Sequence, residues 1–309
     1  MPEPSTRECD LIRWIRGQAR TDGLVLVGIG DDAALVRTRD ASTLITTDLV
    51  IEGVHFDRAV ATPADAGWKA LARNISDIAA MGGESTAAVV AAALPRGFAR
   101  SDAEALVQGL LECANAFGIR LVGGDLAATP GPLVLAVTLL GDLRGRAPIL
   151  RSGARPGDAI LVTGTLGGSR LGKHLRFTPR QAAGLILASS YRPHAMIDIS
   201  DGLARDLHHL LDESGVGATL WADRIPVSQD ALRLAALYGR SPLDHALGDG
   251  EDYELLFAAD PGTAERLLAD QPLGVPVTQI GVITEAGAVL ALPDGTERPL
   301  EPTGWEHIT

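Results

Sequence analysis

Four times along this chain a short apolar run ends in small residues and then an aspartate. Val27 leads through Gly-Ile-Gly to Asp31 and Asp32, and Leu44 leads through Ile-Thr-Thr47 to Asp48. Leu121 leads through Val-Gly-Gly124 to Asp125, and Met196-Ile leads to Asp198-Ile-Ser200-Asp201. Small residues permit tight turns and close backbone approach, and strand ends are where open α/β sheets place their ligands. The pattern therefore constrains the chain to a fold of several strands, each delivering a carboxylate at its end. Singly, each motif has a plainer reading. Aspartate is ordinary turn chemistry, Asp201 could cap the helix after it, and Asp77 could pair with Arg73 on a polar helix face that also carries Lys69. Gathered in one place, the carboxylates would suit Mg²⁺ held between triphosphate oxygens.

Between these motifs, helical and strand periodicities alternate, which points to an α/β or α+β protein. Helical spacing covers 8–18 and then 63–81, where Trp68, Leu71, Ala72, Ile75, Ile78 and Ala79 share a face before Gly82-Gly83. It returns over 101–117, with Ser101 expected as N-cap and Gly118 at the end, and over 202–213, ended by Gly215. Strands are expected at 24–27, 33–36, 43–47, 120–122, 133–140, 159–163, 195–199, 253–258 and 278–283, with a buried strand at 85–94. A shift to Gly, Arg and Pro over 141–158 marks a junction, giving two domains, 1–145 and 146–309.

Composition narrows the chemistry. Of 309 residues, 46% are hydrophobic and 21% charged, enough for a sizeable core and too few charges for a disordered chain. The net charge of −12 argues against a broad basic nucleic-acid surface. An acidic protein would also repel a phosphorylated substrate unless divalent cations stood between them. The two cysteines, Cys9 and Cys113, form no CxxC pair, and there is no secretory h-region or membrane-length apolar run, so a cytoplasmic location is expected. Gly167-Gly-Ser-Arg-Leu-Gly172-Lys173-His174 approaches phosphate-loop spacing, but His174 stands where a Mg²⁺-binding Ser or Thr belongs. His208-His209 lacks a metal-type partner spacing and reads as a surface or packing pair. No Gly-x-Ser-x-Gly elbow suggests hydrolase chemistry.

Taken together, Gly-Ile-Gly-Asp-Asp (28–32), Thr-Thr-Asp (46–48), Gly-Val-His-Phe (53–56) and Lys-Ala-Leu-Ala-Arg-Asn-Ile-Ser-Asp-Ile-Ala-Ala-Met-Gly (69–82) resemble the thiamine-monophosphate kinase family. So do Gly-Gly-Asp (123–125), Arg-Ser-Gly-Ala-Arg-Pro-Gly-Asp (151–158), Ile-Asp-Ile-Ser-Asp-Gly-Leu (197–203) and Gly-Glu-Asp-Tyr-Glu-Leu (250–255), in family order. The resemblance implies an α/β (α+β) PurM-like, or aminoimidazole-ribotide-synthetase-like, architecture. Its N-terminal domain would bind ATP and Mg²⁺ and form a homodimer through its sheet, and a C-terminal α/β domain would come after it. It implies transfer of phosphate from ATP to thiamine monophosphate with several Mg²⁺ ions. By position, Asp32, Thr47, Asp48, Asp77, Asp125, Asp198 and Asp201 match metal-binding residues, with Asp48, Asp125 and Asp198 central to catalysis. Gly124, Asp125, Arg151 and Ser200 match ATP contacts. His55, Glu251 and Trp305 match substrate contacts, and the Trp305 ring would stack on the thiamine. Gly248-Asp249-Gly250-Glu251 departs from the usual Gly-Gly-Glu-Asp and leaves the orientation of Glu251 open. Competing readings are another ATP-using PurM-like enzyme, such as aminoimidazole-ribotide synthetase, and a non-catalytic nucleotide-binding module.

Overall fold

The fold comes from a computed structural model that describes residues 14–15, 17–18, 25–27, 35–36 and 43–305. Asp31, Asp32 and most of the helix expected over 8–18 lie outside those residues, although 14–15 and 17–18 are helical. Strands β1 (Val25–Val27) and β2 (Leu35–Val36) pair antiparallel.

The first unit is built from β3 (Thr43–Ile51), α1 (Pro63–Ala80), β4 (Glu84–Pro95), α2 (Arg100–Ala116), β5 (Arg120–Thr129) and β6 (Val134–Asp142). Its four-stranded sheet has the order β3-β6-β4-β5. Strands β4 and β5 are parallel, so α2 is the crossover between them, while β6 runs antiparallel to both β3 and β4. One sheet face, carrying Val50, Leu135, Val137 and Leu139, is buried beneath the helices along with Leu71, Ile75 and Ile78 of α1 and Leu106 and Leu110 of α2. The helices cross at Gly67 and Gly109. A Cβ on Gly67 would stand 2.1 Å from the Leu106 carbonyl oxygen, and one on Gly109 1.9 Å from that of Ala64. The opposite sheet face is open, with Ile45 69% and Leu49 51% exposed.

Several boundaries differ from the sequence-based expectation. Strands begun at Thr43 and Arg120 run on to Ile51 and Thr129, because the small residues that suggest turns pair within the sheet. The expected buried strand at 85–94 is central, yet Val89 and Ala91 face the open side. Helix α2 takes Ala99 rather than Ser101 as N-cap, since the chain is already extended there at φ −65°, ψ 145°, and Ser101 falls inside the first turn. Lys69 is not on a polar face: it is fully buried and donates to the His55 carbonyl at 2.6 Å.

The second unit holds β7 (Ala159–Thr163), α3 (Gln181–Ile186), β8 (Ala195–Asp198), α4 (Leu203–Ser214), β9 (Gly217–Trp221), α5 (Gln229–Tyr238), α6 (Pro242–Gly248), β10 (Leu255–Ala259), α7 (Pro261–Asp270), β11 (Val277–Thr284), β12 (Ala288–Ala291) and β13 (Glu297–Pro299). The seven-stranded sheet has the order β13-β12-β9-β11-β7-β10-β8, antiparallel except where β12 meets β9. Strands β7, β8 and β10 are buried along their whole length, which is why Ala-Ile-Leu-Val-Thr and Leu-Leu-Phe-Ala-Ala read as continuous apolar runs. Ile160, Val162, Ile197 and Leu256 pack with Leu203, Leu207 and Leu210 of α4 on one side. Leu161, Met196 and Phe257 pack with Ala183 of α3 and Leu267 of α7 on the other. By contact, the first unit ends at Gly145, while Ala79–Gly83 group with the second, from Arg146 onward. Among the described residues no helix is long and apolar enough to cross a membrane.

Candidate active site

In the first unit, Thr46 and Asp48 lie on the helix-covered face of β3, because successive strand residues point to opposite faces. The Thr46 hydroxyl donates to Asp77 at 2.5 Å, and Arg73 Nη2 lies 3.3 Å from Asp48. Arg73 therefore pairs with Asp48, and Asp77 reaches across to β3. Thr47 points to the open face, where its hydroxyl donates to the Val137 carbonyl at 3.0 Å and accepts from Thr138 at 3.1 Å. Asp125 belongs to that open face too: register aligns it with Ala91, Ala136 and Leu49 across the sheet. So Asp48 and Asp77 share one face of β3, and Asp125 stands on the other face, with β6 and β4 between. Gly124 is needed for its missing side chain, since a Cβ there would lie 1.8 Å from the Val90 carbonyl oxygen. His55 comes after β3 in a tight turn and accepts the Ile51 N–H on Nδ1 at 3.0 Å.

In the second unit, β8 delivers Asp198 to its end, 4% exposed. Ser200, Asp201 and Gly202 then turn into α4, and their three N–H groups all donate to Asp206 Oδ2 at 3.0–3.1 Å. Asp201 is therefore not the helix cap: Gly202 is, and Asp206 collects the turn's donors. Burial, then the negative charges of Asp198 and Asp201, raises the Asp206 carboxyl well above its ordinary range. Asp201, Asp206 and His209 offer ligand atoms within 4.8 Å of one another, the one such grouping among the described residues. Sequence reasoning did not single out Asp206 and read His209 as part of a surface or packing pair. Their i, i+3 spacing on one helix was the available signal. His208 does pack, with Nδ1 2.7 Å from the Ala204 carbonyl.

The Gly167–His174 stretch is no phosphate loop. Gly167 N–H and the Ser169 hydroxyl already donate to Asp252, at 2.9 and 2.6 Å, and Gly168 N–H to Asp249 at 3.0 Å. The chain then makes two 3₁₀ turns rather than opening a helix. Buried Glu254 receives Arg180 at 2.6 Å through two nitrogens and Lys173 at 3.1 Å. Glu251 lies 3.1 Å from His174 Nδ1, and its N–H donates to Ser200 at 2.7 Å. Trp305 N–H donates to the Asp201 carbonyl at 2.9 Å, and the Arg170 guanidinium lies 5.4 Å from its ring centroid. Glu251 and Trp305 thus flank the Ser200–Asp201 turn. Arg151 lies in the exposed segment before β7, its carbonyl accepting from Ser214 at 3.1 Å.

Residues 30–143 match the family described as AIR synthase related protein, N-terminal domain, and 155–291 match its C-terminal domain. The thiamine-monophosphate kinase of Rhodopirellula baltica is 39% identical to this chain over 309 residues, covering 97% of each. The chain belongs to the thiamine-monophosphate kinase family. The crystal structure of the thiamine-monophosphate kinase from Stenotrophomonas maltophilia K279a matches with a TM-score of 0.79 at 36% identity, over 93% of this chain and 96% of that one. AaThiL complexed with AMPPCP and TMP matches with a TM-score of 0.77 at 30% identity, over 99% of this chain and all of that one. The resemblance read from the motifs is borne out, and the fold is the two-domain PurM-like architecture.

For a thiamine-monophosphate kinase family member, the acidic positions fall into two sets. Asp48 and Asp77, with Asp125 across the sheet, belong to the first unit. Asp198 and Asp201, joined by the unforeseen Asp206 and His209, belong to the second. Every side-chain donor at the expected metal positions is a carboxylate or hydroxyl oxygen, the hard-ligand chemistry that suits Mg²⁺.

Proposed function

We propose that this chain catalyses transfer of the γ-phosphate of ATP to thiamine monophosphate, giving ADP and thiamine diphosphate. One observation carries most weight: the chain is 39% identical to a thiamine-monophosphate kinase over 97% of each chain and carries the aspartate motifs of that family in family order. The likeness to AaThiL complexed with AMPPCP and TMP supports the same substrates. The acceptor explains the shortage of candidate bases. A phosphate monoester has a second pKa of about 6 and is mostly dianionic at neutral pH, so it needs no deprotonation before attack. The obstacle is repulsion between two polyanions, and bound Mg²⁺ would supply the positive charge that offsets it.

Asp48, Asp77, Asp125, Asp198 and Asp201, with Asp32 and Thr47, are proposed to hold those ions, and Gly124, Arg151 and Ser200 to contact ATP. His55, whose Nδ1 accepts from Ile51 and whose ring proton therefore sits on Nε2, is proposed to contact the substrate. Trp305 offers an indole face for the thiamine rings, and Glu251 a negative charge for the cationic thiazolium. The open sheet face of the first unit, with Ile45, Leu49 and Val89, is proposed as a homodimer interface. Asp125 lies on that face, so dimerisation would bring it to a subunit boundary. A cytoplasmic enzyme is consistent with two cysteines and no CxxC pair.

The test is turnover with ATP, Mg²⁺ and thiamine monophosphate, with thiamine diphosphate measured by chromatography. Asp48→Asn and Asp125→Asn should each lower kcat at least about a hundredfold, with the circular dichroism spectrum unchanged. Near-normal turnover in either folded variant would remove that residue from the proposed machinery.

A further inference from the structure

The glycine-rich stretch from Gly167 to His174 takes no part in the proposed chemistry, yet four carboxylates from 249–254 turn toward it. Asp249 accepts from Gly168, Asp252 from Gly167 and Ser169, and Glu254 from Lys173, while Glu251 Oε2 lies 3.1 Å from His174 Nδ1. Three of them are committed to holding the segment in place. Asp252 and Glu254 are each 1% exposed, and the Asp249 side chain is also tied to Arg240 and His245. Glu251 differs: its side chain keeps 17% exposure.

Both sides of this contact are stiff. Glu251 sits at φ 57°, a left-handed conformation uncommon for a residue with a Cβ, and its N–H is bound to the Ser200 carbonyl. Phe177 stacks on Tyr253 with ring centroids 3.8 Å apart, fastening the segment after His174 to the segment after Glu251. His174 Nδ1 lies 3.1 Å from Glu251 Oε2, and since an ionised carboxylate can only accept, any proton in this contact comes from the ring. The contact holds the Glu251 carboxylate on the side of His174.

We propose that His174 is a positioning residue that aims the Glu251 carboxylate at the thiamine moiety of the substrate. The proposal rests on the assignment of Glu251 as a substrate contact. It also accounts for a histidine at the place where a phosphate loop would carry Ser or Thr. The imidazole is needed for its Nδ1 donor, not for an ion.

Steady-state kinetics with each substrate varied separately tests it. His174→Ala should raise KM for thiamine monophosphate about tenfold, the size of one lost hydrogen bond to a charged group, and leave KM for ATP within about twofold. His174→Asn places an amide donor close to the Nδ1 position and should bring KM back to within about threefold of the parent enzyme. Glu251→Gln should raise KM for thiamine monophosphate, and adding His174→Ala to it should cost little more. If His174→Ala does not fold, His174→Gln, whose donor is displaced from the Nδ1 position, should show the same raised KM. Folded His174 variants with parental KM beside a weakened Glu251→Gln would overturn the positioning role, as would fully additive effects. An active enzyme in which Glu251→Gln leaves KM unchanged would remove the Glu251 assignment itself, and the role of His174 with it.

Discussion

Asp252 is 1% exposed and accepts hydrogen bonds from Gly167 and Ser169. Burial outweighs those bonds and the nearby Lys173 charge, and pushes its carboxyl from 3.8 up to about 6. Between these values the folded state holds a proton that the unfolded state has released. Stability therefore falls as pH rises through that window and levels off above it, by roughly 3 kcal/mol from this group. Urea unfolding from pH 4 to 7 should show a stability gap between the parent protein and Asp252→Asn that shifts by that order. Parallel profiles would contradict it. Residues of this kind were hard to read in the sequence. Asp252 and Glu254 stand in a motif that could be recognised, but the motif does not say that Ser169 and Arg180 supply their donors from 83 and 74 positions away. Asp48 was legible as a site candidate because it comes after small residues, whereas Asp77, in the middle of a helix, was named only through the family resemblance. Asp206 and His209 were not, because the helix pattern around them looks complete without a polar role.

At the scale of elements, the two helices of the first unit meet through glycine. Helix α1 was plain in the sequence, since six apolar residues recur at helical spacing, but nothing there marks Gly67 and Gly109 as contact points. A Gly109→Ala side chain would meet the Ala64 backbone, which cannot swing aside like a flexible side chain. The expected cost is about 2–4 kcal/mol, read as a lowered urea midpoint with unchanged slope. A loss below about 0.5 kcal/mol would mean the helices separate freely. Helices α5, α6 and α7 were missed although their starts are marked. Ser228, Ser241 and Asp260 each cap with a side-chain oxygen, and Pro242 and Pro261 occupy the first turn of the last two. Their apolar stripes are too short for periodicity to stand out. Strand lengths failed for the opposite reason: the Thr-Thr and Gly-Gly pairs of β3 and β5 look like turns but lie within the sheet.

For the whole molecule, the two-domain architecture was legible because the motifs occur in a fixed order, and order survives where single contacts cannot be inferred. The open face of the first sheet was not, since Ile45, Leu49 and Val89 are ordinary strand residues until the register puts them on one face. If that face is the proposed dimer interface, light scattering should give twice the 32.2 kDa chain mass, and Ile45→Glu with Leu49→Glu should give the single mass. A parent protein that remains a monomer at micromolar concentration would rule it out. The proposed chemistry turns on an already phosphorylated thiamine as the acceptor. ATP labelled in its γ-phosphate, offered with either thiamine monophosphate or thiamine, separates the possibilities. Label should pass into thiamine diphosphate from the first mixture, stop when a chelator removes Mg²⁺, and not pass to thiamine in the second. Label transferred to thiamine, or to neither acceptor by a folded protein in the presence of Mg²⁺, would contradict the account.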